Sequence, residues 1–194
     1  MKNYSKYIWI VVLVVLCMAG CSGYNRLVNL DEGVAEKWSQ VENVYQRRAD
    51  LIPNLVNTVK GYADFEKETL TQVIEARSKA TSVKISPENL NAESLQQFQA
   101  AQDGLSSALS RLMVVVERYP DLKANQNFLE LQAQLEGTEN RIATERRAFN
   151  EIVRQYNAAA RRFPGNIIAS LFGFEKKAYF EAAAGTEKAP EVKF

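Results

Sequence analysis

Apolar residues recur every three or four positions along almost the whole chain. Leu27, Leu30, Val34, Trp38, Val41 and Tyr45 keep this spacing, and Arg48 falls on the same seam. A helix repeat of 3.6 residues brings such positions onto one face, so the pattern predicts an amphipathic α-helix. A second segment runs through Leu51, Leu55, Val59 and Tyr62 and resumes at Leu70, Val73 and Arg77. Pro53 interrupts the register between them. With Asp50 as N-cap and the proline in the first turn, a break is expected there; a kinked continuous helix is the alternative. Thr81–Asn91 (TSVKISPENLN) reads as a connection. A third helix follows through Leu95, Phe98, Gln102, Leu105, Leu109, Leu112, Val116 and Tyr119, ended by Tyr119-Pro120-Asp121. The fourth and longest carries Phe128, Leu131, Leu135, Thr138, Ile142, Glu145, Phe149, Ile152, Tyr156 and Ala159, and Phe163-Pro164-Gly165 stops it. At 1.5 Å per residue these helices reach about 35–55 Å. The fold class expected is therefore all-α, an elongated antiparallel four-helix bundle.

Two seam positions of the fourth helix are polar, Thr138 and Glu145, and Arg48 lies on the seam of the first. An unpaired buried charge costs several kcal/mol, so Glu145 is expected to find an arginine, with Arg48 the leading candidate. Such a pair reads first as a polar layer that sets helix register, and only second as a functional site.

The first residues follow a different pattern. Lys2 and Lys6 precede an uninterrupted apolar run, Tyr7 to Gly20, that ends in small residues and Cys21. Basic residues, a short apolar run and a small-residue exit are the parts of a secretory signal. As a helix the run covers about 21 Å against a hydrocarbon core of about 30 Å, too short to span by itself. The charge-free stretch continues to Asn25, so a tilted anchor stays open. Met18-Ala19-Gly20-Cys21 resembles the bacterial lipobox, with methionine where leucine is usual, and marks Cys21 as a lipidation candidate. Both readings place the body outside the cytoplasm, since the lysines hold the N-terminus inside. The expected organisation is a targeting segment over 1–21, a helical bundle over 22–163, and a C-terminal cap and tail over 164–194.

Composition narrows the chemistry. Both cysteines, Cys17 and Cys21, lie in the targeting segment, and there is no histidine in 194 residues. The body thus lacks disulfides, thiolate metal sites, imidazole bases and histidine-dependent di-metal bundle sites. No metal or cofactor is expected. With 24 basic and 23 acidic residues, nucleic-acid binding has no electrostatic support. An enzyme would have to draw on Glu42, Arg47, Arg48, Asp50 and Glu145 converging in a pocket. Arg147, Arg154 and Arg161 recur every seven residues and share a helix face. That stripe is suited to lipid headgroups or an acidic partner, or is a solvated face balanced by glutamates. Asn166–Phe180 is apolar and aromatic, suited to a cap folded over the bundle end or to an interaction surface.

Gln46–Ala63, QRRADLIPNLVNTVKGYA, has further matching stretches on both sides: Tyr24-Asn25, Leu27-Val28, Trp38 and Val41-Glu42 upstream, Glu75-Ala76-Arg77, Tyr119-Pro120, Phe128, Gln155-Tyr156-Asn157, Gly173-Phe174 and the ending YFEAAAG…PEVKF downstream. Together they resemble the LemA family over nearly the whole chain. The resemblance implies a membrane-anchored, extracytoplasmic four-helix bundle without established catalysis. Family members often carry a histidine shortly after the GYA segment, where this chain has Phe65, and commonly begin with a plain transmembrane anchor, so Cys21 is a departure. Within the motif, which also holds Arg47 and Asp50, Gln46 and Arg48 can satisfy exposed carbonyls at a helix end, Leu51, Leu55 and Val56 suit the core, and Pro53-Asn54 suit a tight reversal. The function expected is an envelope scaffold or interaction protein, held at the membrane and meeting an envelope protein partner; peripheral binding to anionic membrane is the alternative.

Overall fold

The computed structural model describes residues 4–61 and 66–181, with side chains described from residue 7 except at 11–16 and 19. Lys2, Lys6 as a side chain, Tyr62, Phe65 and the ending after residue 181 lie outside the described residues. The described chain is all-helical: α1 (Tyr4–Lys60), α2 (Lys67–Ser82), α3 (Ala92–Val116), the short α4 (Pro120–Lys123), α5 (Gln126–Arg161) and α6 (Gly165–Phe172). A 3-10 turn, Pro87–Asn89, lies in the predicted connection. Asn91 and Asn125 cap α3 and α5, their side chains accepting from the backbone N–H groups of Ser94 and Phe128.

The expected break at Pro53 is overturned, because α1 runs through it as one helix of 57 residues. A mid-helix proline leaves the carbonyl four residues earlier without its donor and costs about 3 kcal/mol. Here that carbonyl belongs to Ala49, and the Arg77 Nε–H donates to it at 2.7 Å. The pyrrolidine ring faces solvent while Ile52, Leu55, Val56 and Val59 are buried around it. Each of these contributes about 1.5–3 kcal/mol, so continuing the helix wins. Asp50 is consequently no N-cap; it accepts from Gln46 Nε2 on the helix surface.

Helix pairing follows from particular contacts. Trp38 meets Phe149 and Arg48 meets Glu139, so α1 and α5 run antiparallel. Gln102 reaches the Ala80 carbonyl and Arg118 reaches Glu66, which sets α3 antiparallel to α2. Two buried clusters result. One is aliphatic, built from Ile52, Leu55 and Val59 of α1, Leu70 and Val73 of α2, Leu105–Val116 of α3, and Leu122, Phe128 and Leu135. The other is aromatic, with Trp38, Tyr45, Phe98, Phe149, Tyr156 and Phe180 among its members.

Phe180 shows that the C-terminal segment is more than a cap. After α6 the chain returns in extended form beside α5. Asn157 accepts from the Lys177 N–H and donates to its carbonyl, and Asn150 does the same for Phe180. The two asparagines stand seven positions apart on one face of α5, holding the backbone as a neighbouring strand would. This places the Phe180 ring in a stack with Trp38, centroids 6.0 Å apart.

Candidate functional site

The family-type motif places Arg48 at the junction of the two clusters. Its side chain is only 1% exposed, yet its terminal nitrogens are fully engaged. Nη1 donates to Glu139 at 2.6 Å and to the Ser106 hydroxyl at 2.8 Å. Nη2 donates to the Gln102 side-chain oxygen at 2.6 Å and to its carbonyl at 3.3 Å. Nε has no hydrogen-bond partner among the described residues, and the guanidinium lies 5.1 Å from the Tyr45 ring centroid. Gln102 passes the network on by donating to the Ala80 carbonyl at 3.1 Å, which ties α1, α2, α3 and α5 together. Burying a guanidinium is unfavourable without such partners, and removing one partner leaves the charge stranded.

The partner is Glu139 and not Glu145. Equal numbers of residues separate Trp38 from Arg48 and Glu139 from Phe149, so the antiparallel register is fixed by the aromatic contact. At that register Glu145 is level with Glu42, about 9 Å along the axis from Arg48. Glu139 is 46% exposed and opens into a groove of about 350 Å3 lined by Ser106, Ser110, Gln132 and Glu136. The other residues weighed for catalysis do not converge on Arg48: Arg47 and Asp50 are exposed, and Glu42 and Glu145 are half-buried. Burial raises the Glu42 carboxyl, opposed by the Trp38 N–H and by Lys84. Among the described residues no three acidic or thiol side chains gather as a metal site.

Elsewhere the motif serves the helix itself. Pro53 and Asn54 are exposed within α1, not at a reversal, and the Asn54 carbonyl accepts from Thr58. The carbonyl freed by Pro53 is satisfied by Arg77, while Gln46 binds the Asp50 side chain and Arg48 reaches side chains and the mid-helix Gln102 carbonyl. Arg77, Gln102 and Thr138 all lay on predicted seams, so their polar identity was the available signal for this layer. Glu139 sits one position off the seam and carries no such signal.

The arginines at 147, 154 and 161 are all exposed. Arg154 is held by Glu151 through two bonds of 3.0 and 2.6 Å, and its guanidinium, followed by Gln155, draws the Glu151 carboxyl down to about 2. Arg147 turns back to the Ala143 carbonyl. Cys21 is exposed on α1.

Sequence comparison agrees with this architecture: the profile described as "LemA family" matches residues 37–194. The chain belongs to the LemA family. It is similar to Magnetosome protein MamQ 2 of Paramagnetospirillum magneticum, 29% identical over 175 residues, covering 81% of this chain and 64% of that protein. Magnetosome protein MamQ of Magnetospirillum gryphiswaldense is 29% identical over 180 residues, 84% of this chain and 66% of the relative. Protein LemA of Metamycoplasma hominis is 25% identical over 162 residues, 82% and 69% respectively. This LemA-family chain thus spans just under two thirds of the MamQ relatives it matches.

Proposed function

We propose that this LemA-family chain is a membrane-anchored scaffold of the bacterial cell envelope, an antiparallel four-helix bundle whose body stands outside the cytoplasm. The observation that carries the reading is the composition of α1. Tyr7, Ile8, Trp9, Ile10 and Met18 are exposed on the same continuous helix that later supplies Trp38, Arg48 and Leu55 to the interior. An apolar shaft emerging from a helical body with charged flanks is suited to insertion in lipid. Among the described residues no helix is long and apolar enough to cross a membrane, and the centre of the apolar run, 11–16, has no described side chains. The anchor therefore rests on the sequence: a span from the apolar run, or acyl chains on Cys21. Family membership and the MamQ relatives support a membrane-associated, non-catalytic role. The Arg147–Arg154–Arg161 stripe is the weaker route to the membrane, since Arg154 is already neutralised by Glu151.

Two measurements test the reading. With a C-terminal tag on the full chain, protease added outside the cytoplasmic membrane should remove the tag while the chain stays in the membrane fraction; a protected tag refutes the orientation. Mass spectrometry of the membrane-extracted chain decides the anchor: acylated Cys21 as first residue for the lipoprotein, an intact Met1 for the span. Crosslinking in cells should recover a specific envelope protein, and recovery of abundant envelope proteins alone speaks against a scaffold.

A further inference from the structure

α6 is docked on α1 directly beyond the apolar run. Ile168 and Ala169 are buried with Leu27, and the Tyr24 ring meets Phe172 and Phe174 at 4.8 and 5.8 Å. Gly23 makes room for this, because a Cβ there would lie 2.5 Å from Ile168 Cδ1. Gly165 lets the first turn of α6 approach α5, where a Cβ would come within 2.2 Å of the Ala159 carbonyl oxygen. Gly173, at φ 75°, ends the helix in the left-handed conformation. The position of α6 is thus set by both long helices.

Among the described residues its opposite face is uncovered: Ile167 and Leu171, four residues apart, are 57% and 76% exposed, Phe163 just before the helix is 81% exposed, and Phe172 stays partly exposed at the edge of the docked face. Arg161 and Arg162 precede these residues and are exposed, as is Arg26 on α1. Gly23, where α6 touches α1, lies about 4.5 Å along the helix from the end of the apolar run at Gly20. The layer between headgroups and acyl chains is about 5–10 Å deep. With the run in the hydrocarbon, α6 stands at the level of the headgroups.

We propose that α6 is a second membrane-contacting element: an interfacial helix that lays Ile167 and Leu171, with Phe163 just ahead of it, into the outer leaflet boundary, with Arg161, Arg162 and Arg26 at the phosphates. The inference rests on the membrane-anchored reading. Lipid is favoured over a protein occupant because this face lies beside the anchor, is flanked by cations at one level, and belongs to a helix too short to offer a second apolar surface. Contact at both α1 and α6 fixes the tilt of the body above the bilayer, which a single shaft cannot do.

The test uses the full chain in vesicles of phosphatidylcholine and phosphatidylglycerol with brominated acyl chains. Leu171→Trp is made with Trp9→Phe, leaving buried Trp38 as a constant background; Ser39→Trp, at an exposed site on α1, is the control. The expected result is a blue-shifted emission at position 171 that loses most of its intensity to the brominated lipid, while position 39 keeps its own. Flotation of the chain with the vesicles without quenching at 171 overturns the inference and leaves the anchor standing. Failure to float overturns the anchor, and this inference with it. Protection of 171 from aqueous acrylamide without lipid quenching means a protein or a second copy covers the face, which also overturns the lipid assignment.

Discussion

The two halves of the body are built from different materials. The half beyond Arg48 is mainly aliphatic: α2 and α3, which follow one another in the chain, fill it against α1, and Phe128 and Leu135 of α5 close it. The half before Arg48 is aromatic and depends on the return of the C-terminal segment, whose Phe180 fills the space between Trp38, Phe98 and Phe149. Both halves rest on the pairing of α1 with α5, but only the second also requires the C-terminal segment to return to α1. The charged layer between them lets each cluster end without an exposed apolar edge. It also fixes which turn of α5 faces which turn of α1, a role in which buried polar groups exchange some stability for specificity.

This contrast can be broken in order of effect. Trp38→Ala should cost about 3–5 kcal/mol, through the cavity and the unpaired Ile85 carbonyl that now accepts from the indole N–H. Thermal unfolding should show a drop of about 6–20 °C by the usual scaling of about 2–4 °C per kcal/mol, and a loss of only a degree or two would mean that the aromatic half contributes little. Glu139→Ala strands Arg48 and should cost about 2–3 kcal/mol, near or below the low end for a broken buried pair because water can enter beside it. The double replacement Arg48→Met with Gln102→Leu fuses the two clusters and should cost no more than about 1–3 kcal/mol, the part due to the Ala80 carbonyl that loses its donor. Strong destabilisation by both would assign the layer a larger energetic part than register.

Arg77→Met should cost about 1–3 kcal/mol by leaving the Ala49 carbonyl unpaired. In a Pro53→Ala background the helical N–H returns to that carbonyl, and the same substitution should cost much less; equal costs in a double-mutant cycle would refute the coupling. The smallest effect is a pH dependence. Burial, aided by Asp31 and Glu175, pushes the Tyr156 phenol up to about 12. The folded state thus keeps a proton that the unfolded state releases near pH 10. The stabilisation is complete below pH 10 and disappears as pH rises toward about 12. Tyr156→Phe should flatten the decline in melting temperature over that window, and an unchanged slope would implicate Tyr45, which burial also raises.

Helix by helix, much of this fold was readable. Trp38, Leu55, Leu105 and Phe149 announced their burial through spacing, and Arg48 announced a polar layer by standing on an otherwise apolar seam. Pro53 was misleading because local preference favours a break, and only a donor from α2 removes the penalty. Glu145 was misleading because its seam position says that it points inward, not which turn of α1 it meets. Asn150 and Asn157 gave no sign that they would hold an extended strap.

Apolar periodicity alone establishes that this chain is helical, which faces turn inward, and that its first residues are suited to lipid. Those properties follow from each residue's own hydration and from a helix repeat that is the same everywhere. Pairing between helices obeys no such local rule. The choice of Glu139 for Arg48, the rescue of Ala49 by Arg77, the insertion of Phe180 and the docking of α6 beside the apolar shaft arise only when distant segments meet. Each is decided by shape and by the need to satisfy a polar group that has lost its water.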